Sequence, residues 1–381
     1  MTISKQYDYI IAGAGCAGLS LAMHLLDSGK INDKKILIID RDPKKSNDRT
    51  WCFWEKGEGL FEKIVHRQWE RLLFFGENFS RELRIAPYRY KMIRGIDFYN
   101  FCFENIRKSS NVTIRLDPVD HVFSSELTTG IIVNGEAIHS EFVFNSILFK
   151  KPELHEKQYW LLQHFRGWII ETQEDRFDPE LATLMDFRIG QNQGTEFCYV
   201  LPFTNRIALV EYTVFSPEVL STEAYEERLR WYVSNILGIS NYQVLEVESG
   251  VIPMTNYPFA KTQNHIINLG TAGGFTRGST GYSFHFIQKH SAALTRRLTT
   301  IGDPFVKEEQ RRALFYDSVL LHILHHQILP GKKIFSDLFR NNAPQQVLKF
   351  LDNETSLAEE MKILTSLPIF PFLKAALEQF I

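Results

Sequence analysis

Apolar and polar positions change rhythm along this chain, and the rhythm predicts its elements. Tyr7 to Ala12 is an almost unbroken apolar run, the pattern of a strand buried on both faces. Gly13-Ala14-Gly15-Cys16-Ala17-Gly18 follows, then apolar positions at helical spacing from near Ala17. A second apolar run, Lys35 to Ile39, ends at Asp40. Tyr7 to Asp40 therefore reads as a βαβ unit. Arg41 to Arg49 is polar and charged, a loop. Trp51-Cys52-Phe53-Trp54 is a compact aromatic patch, and Trp69 to Arg94 alternates as strands do. Gly95 to Arg107 is helical, with Phe98, Phe101, Cys102 and Ile106 near helical spacing. Short strands are predicted around Val112 to Leu116, His121 to Phe123, Gly130 to Val133 and Phe142 to Asn145. They return the chain to the first sheet.

A second rhythm begins near Tyr159. Gln163 to Thr172, Leu184 to Ile189, Phe197 to Phe203 and Ile207 to Phe215 read as antiparallel strands joined by short turns. Glu223 to Leu237 is a helix and Val247 to Pro253 a strand. His265 to Leu269 is an apolar strand entering Gly270-Thr271-Ala272-Gly273-Gly274. From Tyr282 the pattern is mostly helical. The expected fold is α/β. A Rossmann-type nucleotide-binding domain covers 1–158 and resumes over 251–300. An antiparallel-sheet substrate domain covers 159–250, and a helical region covers 301–381.

Composition refines this picture at a few points. Hydrophobic residues at 44% and charged residues at 23% fit a packed core in a chain of 381 residues. A formal net charge of −2 argues against a nucleic-acid partner. Cys16, Cys52, Cys102 and Cys198 are far apart, against a disulfide framework or a cysteine zinc site and for a reducing compartment. The chain runs straight into its first strand with no leader expected, and no apolar run reaches membrane-spanning length. The 30 phenylalanines point to a large aromatic core or a greasy ligand tunnel.

The glycine run carries the clearest chemistry. Gly13 permits a tight turn, Gly15 lets backbone approach a pyrophosphate, and Gly18 lets helix and strand pack closely. Helix N-terminal amides favour the phosphates. Asp40, about 20 residues beyond the last glycine, stands where a ribose-binding carboxylate belongs, with Arg41 beside it. Gly270, Gly273 and Gly274 form a second small-residue turn suited to the same cofactor. Arg277 faces an anionic group there or is a solvated loop arginine.

Glu211, inside Ile207-Ala208-Leu209-Val210-Glu211-Tyr212-Thr213, points outward or is buried for a purpose, and burial would suit it to general acid work. Its flanks Val210 and Val214 suggest desolvation. Asp186 and Glu171 are weaker candidates. His322, His325 and His326 share helical spacing, but no flanking pattern supports a metal, and none is assigned. Leu367 to Leu373 is an apolar stretch that dips into a bilayer surface or docks on the core.

Five stretches together resemble the flavin-dependent lycopene cyclases of the bacterial β-cyclase type. They are Tyr7 to Gly18, Asp48-Arg49-Thr50-Trp51, and Gln163 to Trp168. Next come Phe197 to Pro202 with Ala208 to Thr213, then Gly250 to Met254 with Gly270 to Gly274 and Gly281-Tyr282-Ser283. In that family the acid matching Glu211 is often followed by a second acid, where this chain has Tyr212. The Thr-Ala-Ala-Gly turn is here Thr-Ala-Gly-Gly.

The resemblance implies lycopene as substrate and a cyclisation without net redox change. Glu211 would protonate the terminal double bond, and reduced FAD would stabilise the cation. NAD(P)H would be the external reductant. It also implies a cytoplasmic protein held peripherally at a membrane. Two other functions share the cofactor motifs: a redox flavoenzyme on a lipid (a monooxygenase or prenyl-chain reductase), and a carotenoid or flavin carrier. A carrier would not need Glu211.

Overall fold

The structure is a computed structural model that describes residues 5–306 and 311–380. Strand Tyr7–Ala12 sits centrally in an eight-stranded sheet, between Glu136–Asn145 and Ile36–Asp40, both parallel to it. Val112–Leu116 and Ile266–Asn268 extend the parallel set on either side. Their apolar runs are continuous because helices and hairpin cover both faces. Ile10, Ile11, Leu37, Ile38 and Ile39 are fully buried. Helix Cys16–Asp27 packs on this sheet with Gly95–Ile106 and Phe284–Ile301. The nucleotide-binding fold is thus built from three separate stretches of chain.

The second sheet has seven strands, in the order Tyr242–Thr255, Trp160–Thr172, Ile207–Ser216, Thr195–Pro202, Leu181–Asp186, Arg71–Gly76 and Phe79–Arg84. Its neighbours are antiparallel except Leu181–Asp186 with Arg71–Gly76, which run parallel. The sheet therefore recruits Arg71–Gly76 and Phe79–Arg84 from well before residue 159. A small third sheet, Thr50–Glu55, Arg89–Arg94 and Arg67–Trp69, bridges the two.

Alternation along the second sheet gives it two apolar faces. Ala208, Val210, Tyr212 and Val214 pack under helix Thr222–Asn235, whose start is capped by the Ser221 side chain. Leu209 and Phe215 face the other way, into a core closed by helices Arg311–His325, Gly331–Asn341 and Pro344–Leu351. Phenylalanines fill this layer: Phe74 stacks on Phe339 at 4.6 Å, and Phe187 lies against Phe335. No helix among the described residues is long and apolar enough to cross a membrane.

The bridging sheet contains the most demanding buried charge. Lys91 is completely buried, and its ammonium donates to Glu55 Oε1 and the Gly57 carbonyl, both at 2.8 Å, and to Glu62. Removing the cation strands two carboxylates in a poorly solvated place. Lys91→Ala should lower stability by about 3–5 kcal/mol. Urea unfolding of the two proteins checks this; a loss below about 1 kcal/mol, the size of an exposed pair, would refute it.

Candidate active site

Gly13 has φ +95°, and a Cβ there would lie 2.3 Å from Ser146 Oγ. At Gly18 a Cβ would lie 1.9 Å from the Gly13 carbonyl oxygen, so the helix can approach the strand only without one. Gly15 is different. A Cβ there would meet nothing within 4 Å, and no side chain caps the helix it starts. The open space above Gly15 faces free helix N-terminal amides, which is the form of a phosphate cradle.

Asp40 ties this turn down. It accepts from the Ala14 N–H at 2.6 Å and the Asp42 N–H at 2.8 Å, and it lies beside Lys44. Arg41 is exposed at the same strand end. The second glycine turn is a short 3-10 segment, Gly270–Gly273, ended by Gly274 at φ +69°. Its Gly270 is pressed so close to the first helix that a Cβ would sit 2.7 Å from Ala17 Cβ. The two turns are therefore adjacent, and Thr271 leads from them into a cavity.

That cavity, about 230 Å³, lies between the bridging sheet, the seven-stranded sheet and the segment that follows the second glycine turn. Its wall draws on Asp48 to Cys52, Gln163, Phe165, Tyr199, Leu201, Leu209, Glu211, Ser249 to Pro253 and Thr280 to Phe284. Two polar atoms of the wall, Gln163 Oε1 and Thr280 Oγ1, are buried without a partner among the described residues. Orphaned polar atoms at a cavity are what a polar ligand ring would satisfy. Aromatic rings back the site: Phe53 stacks on Phe284 at 4.5 Å and Trp54 meets Tyr282 edge-on at 4.7 Å.

Glu211 is half-buried in this wall, and Thr213 donates to its Oε1 at 2.8 Å. Val210 and Val214 do not desolvate it, because both face the opposite side of the sheet. The apolar surroundings come from the cavity wall instead. Burial, then the negative charge of Glu248, pushes the Glu211 carboxyl well above the usual carboxylate range.

Glu248 is the group that reading the sequence missed. Gly167 stands opposite Glu211 on one neighbouring strand and opposite Glu248 on the other. Having no side chain, Gly167 leaves the two acids level with each other across its bare backbone, and the charge of Glu248 acts on Glu211 there. A Cβ at Gly167 would lie 3.1 Å from Glu248 Cγ and 3.4 Å from Glu211 Cβ. Glu248 Oε2 accepts from Thr50 Oγ1 at 2.6 Å, and burial raises the Glu248 carboxyl too. The available signal was a glycine amid Gln163 to Trp168, flanked in register by an acid on each side.

Other candidates lie elsewhere. Asp186 is fully buried but bound by Arg188 and by the Tyr232 hydroxyl at 2.7 Å, away from the cavity. Glu171 is exposed. Arg277 is neither solvated nor in the cavity wall; it is buried in an ion pair with Asp317 at 2.8 Å and donates to Asn353 Oδ1 at 2.6 Å. His322 is held between the Tyr159 hydroxyl and Glu378, each at 2.7 Å, with the His326 ring tilted against it and His325 edge-on to His326. The described residues hold one other group of metal-type donors, His285, Asp352 and Glu354, where Lys289 already pairs with Glu354 at 2.6 Å. The Leu367 to Leu373 stretch divides between core and surface. Leu367 is buried, while Ile369, Phe370 and Leu373 are exposed, Phe370 at 85%.

Comparison with known proteins places the chain in a family. The family model described as "Lycopene cyclase protein" matches residues 8–377. The chain belongs to the lycopene cyclase family. Among relatives of this lycopene cyclase family member are a chloroplastic neoxanthin synthase of Solanum tuberosum and a lycopene beta-cyclase of Pantoea ananas. The first is 27% identical, over 73% of this chain and 57% of its own length; the chain thus spans little more than half of that relative. The second is 24% identical, over 74% of this chain and 72% of its own. In fold, the chain resembles a flavoprotein/dehydrogenase from Cytophaga hutchinsonii (TM-score 0.65, 12% identity, covering 98% and 99% of the two chains). It also resembles a geranylgeranyl bacteriochlorophyll reductase-like protein from Thermoplasma acidophilum (TM-score 0.59, 12% identity, 99% and 97% covered).

Tyr212, which replaces the second acid of many lycopene cyclases, points away from the cavity. Its hydroxyl donates to the buried Glu196 at 2.6 Å. In this chain the position next to Glu211 serves the opposite face of the sheet.

Two predictions follow from this geometry. Gly15→Val should fold with an unchanged Tm, because its side chain meets open space, yet lose uptake of a dinucleotide cofactor. Gly18→Val should fail to fold stably, because its Cβ collides with backbone. Thermal melts and equilibrium dialysis with FAD separate the two, and dinucleotide affinity surviving in Gly15→Val would refute the cradle.

The second concerns pH. A carboxyl raised in the folded state holds a proton that the unfolded chain has released. Its stabilising effect is complete below the ordinary glutamate range, about pH 4, and falls away as pH rises through the folded value. Glu211→Gln should therefore flatten the loss of Tm with rising pH. Parallel Tm–pH curves for the two proteins would contradict it.

Proposed function

We propose that this chain is a lycopene β-cyclase that turns acyclic lycopene ends into β-rings by proton-initiated cyclisation with no net redox change. The observation that carries the reading is the convergence of four of the five resembling stretches on one cavity around a half-buried carboxyl raised by its surroundings.

In this reading FAD lies along the two glycine turns. Gly13, Gly15 and Gly18 would admit the pyrophosphate, Asp40 and Arg41 would serve the ribose end, and Gly270, Gly273 and Gly274 would line the approach to the flavin. The open face of Gly15 and the orphaned atoms of Gln163 and Thr280 fit such a group. A structural neighbour, aklavinone-11 hydroxylase, was solved with FAD and aklavinone (TM-score 0.57, 13% identity). Bound in its reduced form, with NAD(P)H as external reductant, FAD would supply negative charge beside the substrate cation.

The protein's own residues do the rest. Glu211 gives its O–H proton to C2 of the terminal C1–C2 double bond, leaving a cation at C1. The C5–C6 double bond attacks C1, and loss of the C6 proton leaves a β-ring, so one proton enters and one leaves. The aromatic wall of Trp51, Phe165, Tyr199 and Phe284, backed by Phe53 and Trp54, would exclude water and offer ring faces to the cation. The exposed face of helix Ile369–Phe380, with Ile369, Phe370, Leu373 and Leu377, would rest on the membrane holding the substrate, from the cytoplasmic side.

Glu211→Gln should keep the fold and FAD uptake and lower cyclisation on the order of 100- to 10,000-fold. Glu171→Gln should change little. Pigment analysis in lycopene-making cells reads the outcome, and near-normal β-carotene from a folded Glu211→Gln would remove the acid from the mechanism. The alternative is a redox flavoenzyme on a lipid, favoured by the fold likeness to the reductase-like protein. It requires NAD(P)H oxidation matching product one for one, whereas the cyclase consumes none per ring.

A further inference from the structure

We propose that Glu248 is a positioning residue of the proton-donating site, which holds the acid proton of Glu211 between two carboxyls above the bare backbone of Gly167. The proposal rests on the reading of Glu211 as proton donor and deepens it.

Three observations carry it. The pairing register brings strands Ile207–Ser216 and Tyr242–Thr255 to either side of Trp160–Thr172, with both acids level with Gly167. Any larger residue at Gly167 would wedge between them, since even a Cβ would come within 3.4 Å of both side chains. Next, Glu248 is nine-tenths buried and fixed at one end by Thr50, while its Oε1 is buried with no N–H or hydroxyl donor among the described residues. Two carboxyl groups can share a hydrogen bond only with a proton between them. The Glu211 carboxyl supplies the donor that Glu248 Oε1 otherwise lacks. Finally, Glu211 lines the cavity and Glu248 does not, so Glu248 acts on a ligand only through Glu211.

The neighbouring groups fit a proton-holding pair. Cys52 from the bridging sheet, Tyr199 and Cys198 from the next strand, and Tyr282 from the loop beyond the second turn are all kept neutral by burial. Glu246 and Asp48 add negative potential at Glu248. Arg49 lines the same cavity but is committed to Asp48 at 2.7 Å. A charged Glu248 therefore makes ionisation of Glu211 harder, and the acid stays loaded at neutral pH. When the Glu211 O–H bond breaks and a C–H bond forms on the substrate, the pair is left without its shared proton. It regains one when the ring carbon sheds its own, so each turnover closes with no net proton change.

The test compares wild type, Glu248→Gln and Glu211→Gln as full-length, FAD-loaded proteins. Glu248→Gln keeps the size of the side chain and the acceptor for Thr50 but cannot carry charge. Its pH–rate profile with lycopene should lose its alkaline side at lower pH than wild type, with on the order of tenfold loss there and less at acid pH. A merely structural role would lower the rate equally at every pH, and that result would overturn the proposal.

A second readout needs no turnover. In the infrared difference between wild type and Glu211→Gln, the protonated-carboxyl stretch should persist above the ordinary glutamate range and titrate at lower pH when Glu248→Gln is the background. This difference for wild type alone decides the matter if Glu248→Gln does not fold: absence of a protonated Glu211 at neutral pH overturns the pair. Should that stretch be present while lycopene is not cyclised, the pair stands and the cyclase reading fails.

Discussion

Two carboxyl groups held together out of water impose a condition on everything around them: one of the two must carry a proton. An isolated buried carboxylate is expensive, and two are prohibitive. The architecture near Gly167 answers this demand. A missing side chain opens the gap, Thr213 supports one carboxyl and Thr50 the other, and the remaining wall is aromatic or neutral apart from the Asp48–Arg49 ion pair. Thr50 belongs to the bridging sheet, so the pair is complete only when that sheet has docked on the seven-stranded one. Site assembly and domain assembly are one event in this chain.

The same sheet shows how strictly alternation assigns work. Glu211 projects into the cavity with Thr213 on the same face, while Tyr212 projects into the layer beneath helix Thr222–Asn235 and bonds Glu196. One position along the strand separates proton chemistry from core packing. The loss of an adjacent acid therefore removes nothing from the cavity of this protein. It supplies a buried partner for a glutamate on the far face.

The βαβ unit, the glycine turns, the helix Gly95–Ile106 and the strand bearing Glu211 were all legible in the sequence, because each rests on local periodicity or on a turn that only glycine can make. Pairing partners were not. Arg71–Gly76 alternates like any strand, and nothing in its own residues says that it joins Leu181–Asp186 in parallel. Glu248 was hidden for a related reason. Glu246-Val247-Glu248-Ser249 reads as the polar part of an edge strand, and only the register against Gly167 reveals that one of its acids turns inward. Arg277 and Asp186 were misleading in the opposite sense. Their chemistry is consumed by Asp317, far along the chain from Arg277, and by Arg188, which turns back onto Asp186 from two residues on.

The parallel pair in the second sheet has a consequence for how the polypeptide reaches its native state. Arg71–Gly76 must wait for Leu181–Asp186, about 110 residues later, and closing so long a loop is entropically slow. Even then Phe74 remains uncovered, since its stacking partner Phe339 lies near the end of the chain. A nascent chain on the ribosome therefore carries a greasy, unfinished sheet through much of its synthesis. Loss of the last helices would leave that surface open for good. The C-terminal region, which lies beyond the last of the five resembling stretches, thus bears on whether newly made protein folds or aggregates.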